Sequence, residues 1–251
     1  MKITVKRYTT EPEVTEAMID YEVDLQDATL LEVLTHIKTK LDPSLAFASG
    51  CRSAVCGSCA MRANGTEVLA CTYHPKEGDV IEPLRNMPVV RDLVVDADAA
   101  QRMNVNTRAW SSENGENVPV TQADEKMNEI QSDCILCGSC FSACPVYAVN
   151  ENFIGPFALT RSWRYVSDSR EQDTQEKIEA VQANGIWDCT LCNECVPVCP
   201  QGIAPKQDIS MLRNKSGILG FMDPSFSSGM GFQGGFGSPS FDGTPDFGGG
   251  F

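Results

Sequence analysis

Long apolar runs are missing from this sequence. Nothing approaches the ~18 consecutive apolar residues of a membrane-spanning helix, and even the stretch 87–95 is broken by Arg91 and Asp92. The basic opening, residues 1–8, runs into Thr, Glu and Pro where a signal peptide would place its apolar core. No export signal is expected in the chain, and membrane contact, on the cytoplasmic face, is expected only through partners. Clustered Lys and Arg are missing as well. With a formal net charge of −14, the chain lacks the cationic footprint that displaces counterions from phosphates, which excludes DNA and RNA as partners. Histidine is limited to His36 and His74, and a lone histidine on a helix or after a loop reads as structural. Residues 216–251 contain no Lys or Arg and are rich in Gly, Phe, Ser and Pro. Such a segment builds no ordinary core and reads as disordered, with its phenylalanines left to dock on a partner.

The remaining residues divide into two patterns. Ile3 and Val5 alternate with Lys2, Thr4 and Lys6, predicting an opening strand, and a second strand fits residues 19–25. Asp27 or Thr29 can cap a helix carrying Leu30, Leu31, Leu34, Ile37 and Leu41, ended by Asp42-Pro43. Asn64-Gly65 suits the positive φ angles of a two-residue hairpin turn between strands at 57–63 and 66–70, and Val80 and Ile81 extend the sheet. Beyond a polar loop at 111–117 the pattern turns helical, near 123–132, 157–166 and 174–183. The fold class is therefore α+β, with a small sheet and covering helix in residues 1–100, an α-helical half in 101–213, and a low-complexity tail in 214–251. Met61, Trp163 and Trp187 read as core packing.

The chemistry lies in twelve cysteines. Cys51, Cys56 and Cys59, followed by Cys71, have the plant-type spacing in which four thiolates hold a 2Fe-2S cluster. Gly50, Ser53, Ala54, Gly57 and Ser58 supply the small residues such a loop needs to turn its amides onto the sulfurs. Zinc sites more often bring ligands as two close pairs. Cys134, Cys137, Cys140 and Cys144-Pro145 form a bacterial-type 4Fe-4S run, and Cys189, Cys192, Cys195 and Cys199-Pro200 repeat it 55 positions later. In paired runs the fourth cysteine ligates the other cluster. That assigns Cys134, Cys137, Cys140 and Cys199 to one cluster, and Cys144, Cys189, Cys192 and Cys195 to the other.

A plant-type site followed by two bacterial-type sites resembles the iron-sulfur subunit of succinate dehydrogenases and fumarate reductases. The likeness extends to Cys56-Gly57-Ser58-Cys59-Ala60-Met61, to the stretch from Pro88 through Arg91-Asp92-Leu93 to Asp96, and to Asp168-Ser169-Arg170. It implies a β-grasp ferredoxin domain followed by an α-helical ferredoxin domain, docked on a flavoprotein subunit that holds FAD and the dicarboxylate site. This chain would then pass single electrons between that subunit and a quinone- or thiol-linked partner. Two departures matter. The common family pattern lacks the cysteine corresponding to Cys192 and holds a 3Fe-4S cluster, and it places a Trp pair shortly after the second motif's proline, whereas here Pro145 is followed by Val146-Tyr147-Ala148. Both departures resemble the branch whose third subunit is cysteine-rich and heterodisulfide-reductase-like, and they imply a second 4Fe-4S cluster in place of 3Fe-4S. Two other readings remain open: the electron module of a glycolate, glycerol-3-phosphate or heterodisulfide oxidoreductase, and a free-standing ferredoxin-like carrier.

Overall fold

Ile3 and Val5 are fully buried in strand β1, Lys2–Thr9, because alternation turns every second side chain to one face. A computed structural model describes residues 1–9, 13, 15–112 and 118–225. Strand β2, Thr15–Glu22, pairs antiparallel with β1 from Lys2 against Glu22 to Thr9 against Thr15. It starts and ends earlier than the 19–25 read from the sequence. Of its residues only Tyr21 is buried, so pairing with β1 sets its extent rather than its own apolar pattern.

Thr29 caps α1, Leu30–His36, through a capping box: its hydroxyl accepts from the Glu32 amide at 3.3 Å while Glu32 accepts from the Thr29 amide at 2.7 Å. A wider turn over Ile37–Leu41 prolongs the helix to Asp42, which accepts hydrogen bonds from Tyr21 and Arg7. Strands β3, Ala60–Ala63, and β4, Thr66–Leu69, form the expected hairpin, with Asn64 and Gly65 both at positive φ. With β5, Val80–Glu82, running parallel to β1, the sheet order is β2-β1-β5-β3-β4. Leu30, Leu34 and Ile37 share one core with Ile3, Val5 and Ile81. A small twisted sheet carrying one crossover helix is the β-grasp arrangement.

A second, two-stranded ribbon was not visible in the sequence. Strands β6, Val89–Arg91, and β7, Val94–Val95, turn on Asp92, which stands at φ 47°. Asp92 is buried and accepts from the Arg7 guanidinium at 2.9 Å, the Tyr8 amide at 3.0 Å and the Ala46 amide at 2.8 Å. A carboxylate with that many donors fixes the ribbon against the sheet.

The second half is helical: α2, Asp98–Asn106; α3, Gln122–Lys126; α4, Glu129–Ser132; α5, Ser139–Ser142; α6, Pro156–Val166; α7, Thr174–Ala180; and α8, Pro205–Ile218. Pro156 and Pro205 sit at helix starts, where a missing N–H costs nothing. Helix α6 is the centre of this half, burying Phe157, Leu159, Trp163 and Val166. Met61 and Trp163 are core residues, as read, and Trp187 is partly buried with its indole N–H on Gln182 at 2.8 Å. Helices α2 and α8 are additions to the sequence reading. In α8 the buried stripe is Ile209, Leu212 and Ser216 with Asp208, too polar to stand out as apolar periodicity. Residues 214–218, read as the start of the tail, continue this helix. Met1–Phe221 form one compact unit, and the tail from residue 226 onward lies outside the described residues.

Candidate iron-sulfur sites

The hairpin of β3 and β4 explains why Cys71 joins a distant triplet. Cys59 immediately precedes β3 and Cys71 follows β4 by one residue, and the Ala70 amide donates to the Cys59 carbonyl at 3.1 Å. Around them the loop turns its amides onto sulfur. The amides of Val55 and Cys56 reach the Cys51 Sγ at 3.2 Å, that of Ser53 at 3.4 Å, and the Ala54 amide reaches the Cys71 Sγ at 3.3 Å. Arg52, Ala54 and Gly57 lie at positive φ among neighbours that do not, and such reversals of hand are how nearby N–H groups come to face one concavity. The amides of Ser53 and Val55, with the Cys56 thiol, pull the Cys51 thiol down to about 6. Burial pushes Cys59 up to about 11.

The two repeated runs have the same backbone signature. Leu136 and Gly138, two and four residues after Cys134, have φ of 54° and 81°, and Leu191 and Asn193, two and four after Cys189, have φ of 55° and 78°. Leucine is seldom found at positive φ. Its presence at equivalent points of both loops shows that the conformation of the cysteine run, not residue propensity, sets the turn. Cys134, Cys137 and Cys140 line one cavity together with Cys199, the last cysteine of the other run. Burial raises Cys134 and Cys140, and the charges of Cys137 and Cys199 act on both. On the other side, burial pushes Cys144 up to about 11, with Cys189 and Cys192 adding to it, and Cys195 up to about 12, with Cys189 and Cys144 adding. Cys140 also senses Cys195, so the two sets are neighbours. Arg213 of α8 secures the second run, donating to the carbonyls of Ile186 at 2.8 Å and Cys189 at 2.6 Å.

None of the twelve cysteines is joined in a disulfide. Among the described residues no three His, Cys, Asp or Glu converge tightly enough for a single ion. The metal-ligating side chains gathered around the cavity of Cys134, Cys137, Cys140 and Cys199 are thiols, the donor set an iron-sulfur cluster takes.

The halves are tied by polar residues that sequence reasoning passed over. Ser142 Oγ donates to the buried Glu67 of β4 at 2.7 Å and accepts from the Arg85 amide at 2.8 Å. The Asn86 amide donates to the carbonyls of Phe141, Ser142 and Cys144 at 2.9 to 3.1 Å. Gln201, two residues past Cys199, donates to the Ala54 carbonyl at 3.1 Å. Each partner lies more than fifty residues away, and no local pattern announces such contacts.

Residues 2–102 match the family described as a 2Fe-2S iron-sulfur cluster binding domain, and residues 130–203 match the 4Fe-4S dicluster domain family. The chain is 38% identical over 216 residues to the fumarate reductase iron-sulfur subunit of Mycobacterium tuberculosis, covering 80% of this chain and 86% of that one. It is 35% identical over 207 residues to the mitochondrial succinate dehydrogenase (ubiquinone) iron-sulfur subunit 1 of Oryza sativa, covering 77% and 74%. Identity is also 35% over 229 residues with the 8-methylmenaquinol:fumarate reductase iron-sulfur subunit of Wolinella succinogenes, covering 85% and 72%. In structure it resembles a chain of the Mycobacterium smegmatis Sdh1 complex in the apo form, with a TM-score of 0.77 at 23% identity over 87% of this chain and 95% of that one.

Proposed function

The chain belongs to the family of iron-sulfur subunits of fumarate reductases and succinate dehydrogenases, and from that premise we propose how it carries electrons. It is an electron-transfer subunit of that oxidoreductase class. Cys51, Cys56, Cys59 and Cys71 hold a 2Fe-2S cluster; Cys134, Cys137, Cys140 and Cys199 hold one 4Fe-4S cluster; Cys144, Cys189, Cys192 and Cys195 hold a second. The observation that carries this reading is the cavity that Cys199 shares with Cys134, Cys137 and Cys140, the crossed arrangement of a dicluster ferredoxin.

When bound, such clusters exchange one electron at a time, which divides a flavin's two-electron exchange into single steps. The chain's own residues set the conditions. Amides of residues 53–56 donate to Cys51 and Cys71 and stabilise negative charge on sulfur. Buried Phe157 and Ile203 line the cavity of Cys134, Cys137, Cys140 and Cys199 and make its wall apolar.

FAD and the dicarboxylate site belong, on this proposal, to a partner flavoprotein, and the far end of the path meets a cysteine-rich or membrane-associated third subunit serving a quinone or thiol. Among the described residues no helix is long and apolar enough to cross a membrane; attachment through partners, on the cytoplasmic face, is part of this proposal. The presence of Cys192, a fourth thiol in the last run, favours the branch with two 4Fe-4S clusters.

Isolation of the native complex tests the whole proposal. Iron analysis of the assembled chain is expected to give about ten irons, from one two-iron and two four-iron clusters, with a flavin-bearing chain co-purifying and fumarate or succinate turned over. Stoichiometric zinc with little iron overturns the cluster assignment. Recovery of this chain alone, fully loaded, would favour the free carrier.

A further inference from the structure

The loop bearing Cys51, Cys56 and Cys59 meets the loop bearing Cys134, Cys137 and Cys140 at one glycine. Gly57 has φ 72°, and a Cβ built on it would stand 2.7 Å from the Cys137 Cβ, 2.9 Å from the Cys137 Cα and 3.1 Å from the Ile135 carbonyl oxygen. These are main-chain atoms and a first side-chain carbon, which cannot swing aside. Any side chain at position 57 must therefore push the two loops apart. The neighbouring Gly138 differs: with φ 81°, its Cβ would meet the Met87 Cε at 3.0 Å and the Leu84 Cδ1 at 3.5 Å, the movable ends of long side chains. Gly138 satisfies a backbone conformation, whereas Gly57 also permits an approach.

Both loops are also held by hydrogen bonds a few residues from the contact. Gln201 holds the Ala54 carbonyl on one side at 3.1 Å, and Asn86 holds the carbonyl of Phe141 on the other at 2.9 Å. Cys56, Gly57 and Ser58 line a common cleft with Cys137 and Gly138. From Cys56 the chain leads covalently to Gly57, and from Gly57 a single van der Waals step leads to Cys137.

We propose that Gly57 is a positioning residue for electron exchange between the two halves: its missing side chain lets the first ligand loop rest directly on Cys137 and so sets the gap between the 2Fe-2S site and the nearer 4Fe-4S site. The inference rests on the reading that these cysteines hold clusters. The step is the exchange of one electron, one site being oxidised as the other is reduced, with no bond made or broken and no proton moved.

The test uses the complete chain, cluster-loaded in its complex, reduced and followed by electron paramagnetic resonance. The spin relaxation of the two-iron signal reports the neighbouring reduced cluster through a dipolar interaction that falls with the cube of distance. In Gly57→Ala, and in Gly57→Asn, which tolerates positive φ better, iron content and the two-iron line shape are expected to persist. The relaxation enhancement weakens, and intramolecular exchange after flash reduction slows severalfold. Gly78→Ala, at φ 84° and so with the same φ demand but nothing within 4 Å of the added Cβ, keeps both at the parent value. Unchanged relaxation in the Gly57 variants overturns the proposal, and so does equal weakening in Gly78→Ala. Loss of the two-iron centre in both Gly57 variants also overturns it, since Gly57 would then merely support the ligand loop. Absence of the two-iron or four-iron signal from the unsubstituted chain overturns the cluster reading itself, and this inference with it.

Discussion

The Gln131 amide donates to an Asp208 carboxylate oxygen at 2.7 Å, linking α4 to α8 inside the helical half. Thr160 donates to the other oxygen at 2.8 Å. Burial nevertheless outweighs these two bonds and pushes the Asp208 carboxyl up to about 6. A carboxyl raised above its unfolded value, near 3.9, contributes stability at pH below that value and loses it as pH climbs to about 6. At neutral pH the ionised group costs up to about 3 kcal/mol, from a shift of about two units at 1.36 kcal/mol each. Asp208→Asn is therefore expected to raise the midpoint of thermal cluster loss at pH 8, with the gain shrinking steadily toward pH 5. Equal effects at both pH values would show that Asp208 does not titrate in this window.

Glu171 and Lys177 make the opposite kind of pair. Their charged atoms are 3.3 Å apart and each side chain is 1% exposed. Burial opposes the charge on Glu171, yet hydrogen bonds from Ser112 and Asp173, with Lys177, hold its carboxyl below the usual range. Lys177→Met leaves a buried carboxylate short of its counter-ion and is expected to cost ~3–5 kcal/mol. Lys177→Met combined with Glu171→Leu should recover part of that loss. Thermal midpoints of the single and double variants decide it, and a double variant no better than the single one contradicts the account.

Much of the chain was legible because its chemistry is periodic or spaced. The alternation around Ile3 and Val5, the Thr29 cap, the Asn64-Gly65 turn and the 55-residue repeat of cysteines all depend on neighbours in sequence. What was missed depends on neighbours in space. Asp92 at its ribbon turn, Glu67 under Ser142 and the main-chain approach of Gly57 to Cys137 follow from how the halves meet. Leu136 and Leu191 are a further case: nothing in a leucine announces positive φ. Their matched positions in the two cysteine runs were the only available signal. Helix α8 escaped notice because Asp208 and Ser216 occupy buried positions where apolar periodicity would have marked it.

Every cysteine lies between residues 51 and 199, so removing residues 226–251 is expected to leave all three clusters in place. Iron content and paramagnetic signals of the truncated chain provide the check. Loss of any cluster contradicts the assignment of ligands to the first 221 residues. Weaker retention of the flavin-bearing partner with full iron content would identify the tail phenylalanines as docking residues.

Cys192 distinguishes the two forms of the last site. It stands between Leu191 and Asn193, both at positive φ, in the place that Cys137 holds between Leu136 and Gly138 in the first run. Its charge acts on Cys144 and Cys189, while its side chain, unlike that of Cys195, is exposed. A thiolate in that position supplies a fourth ligand and favours retention of the fourth iron. Exposure makes that iron the one most readily lost to oxidants, so the comparison belongs in protein prepared without air. The parent chain is then expected to lack the strong oxidised three-iron signal and to hold about ten irons, whereas Cys192→Ser should create the signal and drop the count to about nine. Serine keeps the size of the side chain, so the change reports ligation rather than packing. A strong three-iron signal in the anaerobic parent, unchanged by Cys192→Ser, would return the site to the pattern common in the family and leave Cys192 a bystander on the surface.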